Sequence, residues 1–385
     1  MDEEKIPFWR DDRVLKIIGQ VIAVVVFVTV MLILGSNIAR NFQSLGITFG
    51  FGFLRRAASF GIGDTPIPYT PSDSYGRAVL VGLVNSLRVM ILGIILATAV
   101  GIAVGVARLS DNWLLKQIAG IYVELFRNTP LLLQLFCWYF AVFLNLPGDL
   151  ENPPRLPGPI FLTQRGVDMP WPEGTLQTWL SVAFLLISAV LALIIWRRRI
   201  TAMVQRGESG RSLQMILIGI GVLALLTLIF GLQWDRPSLS EAAITGGLNL
   251  SPEFGAVLFG LVFYTAAFIA EVVRAGIQSV TKGQWEAARA LGLRPTLAMR
   301  LVIFPQALRV MIPPLTSEYL NLAKNSSLAI AVGYADVYAT AFTTSNQTGR
   351  TIEMILILMA TYLTINLIIS LGMNTFNRSV QLKER

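Results

Sequence analysis

Histidine is absent from this 385-residue chain, and cysteine occurs once, at Cys137. An intrachain disulfide is therefore impossible, and no His/Cys set remains for a metal or haem. Ser-His-Asp and Cys-His catalysis fail for want of the base, so the sequence offers no catalytic residue. The dipeptide Gly-Lys does not occur either, which excludes a P-loop. Charge is scarce: 14% of residues carry one, against about 25% in a soluble domain. What fills the chain is apolar. Hydrophobic types make up 54% of it and the mean hydropathy is +0.63. A disordered chain, a collagen and an ordinary soluble enzyme are excluded, and an all-α integral membrane protein is expected.

Apolar segments fall near 15–36, 78–107, 117–146, 176–196, 213–231, 254–279, 305–333 and 352–377, which predicts eight spans. The first, over 17–36, is long enough to cross about 30 Å of hydrocarbon. No small-residue cleavage site follows it, so it reads as a permanent anchor. Pro130 should break the third segment after Arg127-Asn128-Thr129, leaving an interfacial helix and then a span from about 131. Pro305, Pro313 and Pro314 should kink the seventh.

The net charge of +8 is mainly a topology signal. With both termini cytoplasmic, nineteen Lys and Arg fall in inside segments and eight in outside ones. Nucleic acid is therefore not an expected partner; the lipid bilayer is. The chain divides into an anchor and outer segment (1–76), a dense pair of spans (77–146), a two-span insertion (147–252), three spans rich in polar groups (253–378) and a short tail (379–385). Ionisable residues within a span are functional candidates, so the working core is placed at 77–146 and 253–378.

The loop 281–304 carries the most information. Residues 284–291 favour a two-turn helix, Gly292 is suited to the position just past its end, and Pro295 lies beyond. Trp285, Ala288 and Leu291 share one face. A helix this short is not stable alone and should dock on something. Glu286-Ala287-Ala288, three residues, Gly292, nine residues and Val302-Ile303-Phe304-Pro305 resemble the coupling motif of bacterial ABC importer permeases. Val302 and Phe304 stand where that motif has Ile and Leu. The stretches Tyr122–Gln134, Ala270–Ser279, Gly283–Gly292, Pro305–Arg309 and Lys324–Leu328 resemble the polar amino-acid permeases. The extra N-terminal span and the two-span insertion resemble the long permease subunit of the general L-amino-acid systems.

The resemblance implies a five-span type I permease core within a bacterial inner membrane. It implies a second permease subunit forming a heterodimer, two cytoplasmic ATPase subunits and a periplasmic amino-acid-binding protein. ATP would be bound by the partner, so this chain needs no cofactor or metal. The substrate would be a polar L-amino acid, from a broad range of acidic and neutral types. Trp285, Glu286, Ala287, Ala288, Gly292 and Pro305 would couple to the ATPase, with Trp285 and Ala288 filling its cleft.

Within the seventh span, Ser317, Glu318, Asn321, Lys324 and Asn325 fall inside an arc of about 120°. Five polar groups on one face would not face lipid, so they are candidates to line the substrate pathway, with Lys324 on the carboxylate. Packing at a subunit interface would explain the same face. Tyr264 is a further pathway candidate. Glu271 with Arg274, and Glu124 with Arg127, sit three apart and are expected to form structural pairs. An ion-coupled secondary transporter is the alternative, but it needs inverted repeats that the sequence does not display and leaves the loop helix unexplained.

Overall fold

The computed structural model describes residues 12–44, 46, 49–148, 153–205, 210–240 and 243–381. Residues 1–11 of the charged N-terminal tail and residues 382–385 of the C-terminal tail lie outside them. Seven helices among the described residues are long and apolar enough to cross a membrane. In chain order the helices are α1 (Asp12–Ser44), α2 (Tyr75–Ala107), α3 (Trp113–Asn128), α4 (Leu131–Phe136), α5 (Leu176–Gln205), α6 (Arg211–Leu226) and α7 (Pro252–Gln278). After these come α8 (Lys282–Ala290), α9 (Pro295–Ala298), α10 (Phe304–Asn325), α11 (Val337–Thr348) and α12 (Thr351–Val380).

The eighth expected span is the short one. Thr129 and Pro130 are extended, as the residue before a proline must be, and this separates α3 from α4. The apolar helix from there, Leu131–Asn145, is only about 22 Å long and turns π-helical over Cys137–Val142. Gln134 closes the break by donating from Nε2 to the carbonyls of Phe126 (2.9 Å) and Thr129 (3.1 Å). Those carbonyls would otherwise lack a partner at a helix end.

The core forms around α2 and α7, which run parallel. Gly101 and Gly105 of α2 meet Ile269, Ala270 and Val273 of α7; a Cβ on Gly105 would lie 2.7 Å from the Ala270 carbonyl oxygen. Small residues spaced four apart let two helix backbones approach, which is how helices associate where lipid competes for apolar contact. α10 closes the core from the other side through Met311, Leu315 and Leu322. At the end remote from α8, α11 is tied to α2: the Val337 amide donates to Ser86 Oγ (3.0 Å) and Asn85 Nδ2 donates to the Ala335 carbonyl (3.0 Å). Asp336, in the connection between α10 and α12, caps α11 by accepting from the Ala339 amide (2.7 Å). Burial pushes its carboxyl up to about 7.

The chain is mostly helical, as expected, and its loops add a little strand. The loops of 147–252 contain short strands: β1 (Arg155–Leu156), β2 (Ile160–Thr163), β3 (Gly166–Met169), β4 (Trp171–Pro172), β5 (Trp234–Asp235), β6 (Ser238–Ser240), β7 (Ala243–Thr245) and β8 (Leu248–Leu250). They form a four-stranded sheet in the order β1-β2-β3-β8 and two ribbons, β4-β5 and β6-β7. β3 and β8 pair antiparallel across the whole α5–α6 hairpin, with Asp168 opposite Asn249. A pairing so remote in sequence, in strands of two to four residues, leaves no periodic signal.

Candidate functional site

The polar residues of α10 take one open face, as their spacing implies. Ser317, Asn321 and Lys324 are exposed, and Glu318 and Asn325 are half-buried. Leu315, Leu322 and Ala323, on the other side of the helix, are packed in the core. Pro313 and Pro314 lie within α10, so the turn preceding this face lacks two backbone donors.

Beside Glu318 opens a cavity of about 490 Å³. Its walls include Arg127 from α3, Phe268 and Glu271 from α7, and Pro314 and Glu318 from α10. The Arg127 guanidinium lies over the Phe268 ring, 5.2 Å from its centre. Glu271 is bound by two arginines: Arg108, at the end of α2, and Arg274, one turn along α7. Arg274 also donates to Gln278 Oε1 at 2.7 Å. The Glu271–Arg274 pair thus forms as its spacing implies, with Arg108 as an added partner. The expected Glu124–Arg127 pair does not form. Arg127 makes no ion pair among the described residues and projects into the cavity instead. Stacking on an aromatic face leaves its five N–H donors free to meet a carboxylate. Tyr264 lies one turn before Phe268 on α7, its ring 4.9 Å from that of Phe268, half-buried and packed toward the core.

Spacing alone could not find this cavity. Arg127, Phe268 and Glu318 come from three helices, and Arg127 precedes Glu318 by 191 positions. The available signal was Arg127 itself, an arginine next to a proline break in an apolar run.

The loop helix α8 begins two residues and ends one residue earlier than the expected 284–291. Gly292 takes a left-handed φ of +71°, and its amide donates to the Arg289 carbonyl (2.9 Å). The Leu293 amide reaches back to the Ala288 carbonyl (3.1 Å), which completes the helix stop. The facing of α8 differs from expectation. Ala288 is 2% exposed, and Trp285, half-buried, packs in part against the core and in part lines an open hollow with Gly292 and Ala298. Both face this chain. Glu286, Ala287 and Ala290 are exposed, and Leu291 is 79% exposed, so these four present the open surface. The helix carries two apolar stripes, and its sequence does not say which one its own chain covers. A π-helical turn, Met299–Ile303, then joins α9 to Pro305 in the first turn of α10. Among the described residues no three His, Cys, Asp or Glu side chains gather where they could hold a metal ion.

The profile of the family described as binding-protein-dependent transport system inner membrane component matches residues 89–382. YhdX of Escherichia coli K12 is 46% identical over 373 residues, covering 95% of this chain and 94% of that protein. The general L-amino acid transport system permease protein AapQ of Rhizobium johnstonii is 40% identical, covering 97% and 94%. The glutamate/glutamine/aspartate/asparagine transport system permease protein BztB of Rhodobacter capsulatus is also 40% identical, covering 97% and 96%.

Proposed function

This chain belongs to the family of binding-protein-dependent transport system inner membrane components, and we propose from that premise how it carries its cargo. It is a multi-pass permease component of an amino-acid ABC importer. Its cargo is a broad set of polar L-amino acids, in keeping with the names of AapQ and BztB. A periplasmic binding protein delivers the amino acid, a second permease subunit completes the pathway as a heterodimer, and two cytoplasmic ATPases supply the energy. Both termini are cytoplasmic, in a bacterial inner membrane, in agreement with the Lys/Arg distribution.

The observation that carries the pathway reading is Glu318, which belongs to the polar face of α10 and also lines the cavity into which Arg127 projects. A zwitterion crossing an apolar barrier needs both its charges compensated, because desolvating either alone is costly. Arg127 receives the carboxylate in the cavity, and Glu318 receives the ammonium. Asn321, Lys324 and Asn325 extend the same face by about 10 Å along the helix and hold the substrate's polar groups on the way. Glu271 is already compensated by Arg108 and Arg274, so it positions the wall and does not compete for the ammonium. At the far end of the chain of parts, Glu286, Ala287, Ala290 and Leu291 contact the ATPase. The buried faces of Trp285 and Ala288 pass its displacement to the π-turn and α10.

Uptake by the complete importer in proteoliposomes tests this. Arg127→Met should raise the half-saturating amino-acid concentration at least about tenfold, which corresponds to about 1.4 kcal/mol, within the range for a hydrogen bond to a charged group. Basal ATP hydrolysis should persist. Unchanged uptake kinetics in a correctly assembled Arg127→Met complex would remove the cavity from the pathway.

A further inference from the structure

The α5–α6 hairpin takes no part in the pathway described above, and one of its ends gathers charge. Two hydrogen bonds tie its helices together: Ser181 Oγ donates to the Gly231 carbonyl (2.9 Å), and Arg199 Nη2 donates to Gln214 Oε1 (3.0 Å). Between those contacts α5 rises about 27 Å, close to the thickness of a bilayer's hydrocarbon core. Trp179 and Trp196 stand near the same two levels and are 66% and 44% exposed, as tryptophans at the two faces of a membrane are. The most apolar stretch of α6 buries nothing within the chain. The hairpin therefore borders lipid, with Ser181 and Arg199 marking the two edges of the hydrocarbon.

The arginine edge has too little negative charge to balance it. From 197 to 211 the sequence holds five arginines and one acid, Glu208, so the excess is four positive charges. α5 and α6 themselves contain no Asp or Glu. The fold brings Arg211 of α6 next to Arg199 of α5: Gly210, which precedes Arg211, is packed on Arg199, and a Cβ there would lie 3.2 Å from Arg199 Cγ. Neither arginine makes an ion pair among the described residues. The Arg199 guanidinium lies over the Trp196 ring, 5.8 Å from its centre, and its Nε has no hydrogen-bond partner. Trp196 and Gln214 thus orient this cation, and neither compensates its charge. An arginine fork matches two phosphate oxygens, and phosphate is the anion that a bilayer offers at this depth. In phosphatidylcholine the choline cation offsets that phosphate, so an excess of positive charge selects a lipid with a net negative head.

We propose that the arginine end of the α5–α6 hairpin binds the headgroup phosphate of an anionic phospholipid, with Arg199 as the oriented contact and Arg211 as a second cation beside it. The acyl chains then lie along the exposed apolar sides of α5 and α6.

The test uses the complete importer, purified, delipidated and placed in nanodiscs of phosphatidylcholine with phosphatidylglycerol added in steps. The lipids that stay bound after release are counted by native mass spectrometry. Phosphatidylglycerol should be retained in preference to phosphatidylcholine, and Arg199→Gln should weaken that preference about fivefold. Arg211→Gln, at an exposed position, should weaken it in the same direction, and it carries the test if Arg199→Gln lowers the yield of folded complex. Arg236→Gln removes an exposed cation at the opposite end of the hairpin, beyond β5, and should leave the preference unchanged. Equal retention of the two lipids would overturn the proposal, as would a preference that survives both hairpin variants or one that Arg236→Gln lowers as much as they do. Displacement of the lipid by millimolar inorganic phosphate would overturn it too, by showing that the arginines take a free anion.

Discussion

α7 and α6 are both apolar helices of membrane-crossing length, yet 67% of the most apolar stretch of α7 is buried within the chain and none of that of α6. α1 resembles α6, with nothing buried. The difference follows from residue type. α2 and α7 meet through glycine and alanine, and α7 carries Thr265, Glu271 and Arg274, which need partners. α6 offers leucine, isoleucine and glycine with nothing within 4 Å of Gly219 or Gly221. Hydropathy alone treats the two helices alike. Small residues and polar groups separate a span that builds the machine from one that borders it.

The sharpest way to break that contrast is to exchange small for large on each side. Gly105→Leu should drive a side chain into the Ala270 carbonyl and Val273, and cost at least the ~1–3 kcal/mol of an overpacked core. Correctly folded permease, counted by size-exclusion of the detergent extract, should largely vanish. Gly221→Leu in α6 should leave the yield unchanged. Equal losses in the two variants would mean that α6 is packed as tightly as α7 in the assembly.

A smaller effect concerns the outer segment that links α1 to the core. The buried Glu353 at the start of α12 accepts from the Gly50 amide (3.2 Å) and pairs with Arg350. Glu353→Ala should leave that amide without its acceptor and cost about 1–3 kcal/mol. Residues 50–60 should become sensitive to protease added from outside, while the core helices stay protected. Protection of that segment in the variant would show that Phe53, packed against Ala341 and Met354, holds it alone.

The smallest effect is a pH slope. Because the Asp336 carboxyl is raised from 3.8 to about 7 in the fold, the folded state holds the proton more tightly than the unfolded one. Its contribution to stability is full below pH 3.8 and is lost as pH rises toward 7. Asp336→Asn keeps an oxygen for the α11 cap and should flatten the thermal midpoint over that range. A slope that survives the substitution would have to come from another group.

Much of this was legible from residues alone. The break at Pro130, the stop at Gly292 and the open face of α10 each follow from local rules, because the cause and the effect lie within a few positions of each other. What was not legible depends on distant parts. The small sheets need β3 to find β8, across two helices. The facing of α8 depends on the π-turn and core that cover one of two similar stripes. Arg127 took Phe268 as its neighbour and left Glu124, because α7 supplies a ring that its own helix cannot. Pairs three apart on one helix are a good first expectation only where no other helix offers a better contact.

The single native cysteine permits the most direct measurement of where the working face lies. In a Cys137→Ser background, cysteines are placed one at a time at Asn321 of α10 and Ile218 of α6, and labelled with a water-soluble thiol reagent in the assembled importer. Only a thiol that reaches water forms the reactive thiolate. Asn321→Cys should label during ATP turnover and be protected by the transported amino acid, while Ile218→Cys stays unlabelled in lipid. Labelling of Asn321→Cys that transported substrate does not alter, or labelling at Ile218→Cys with equal speed, would contradict a pathway along α10.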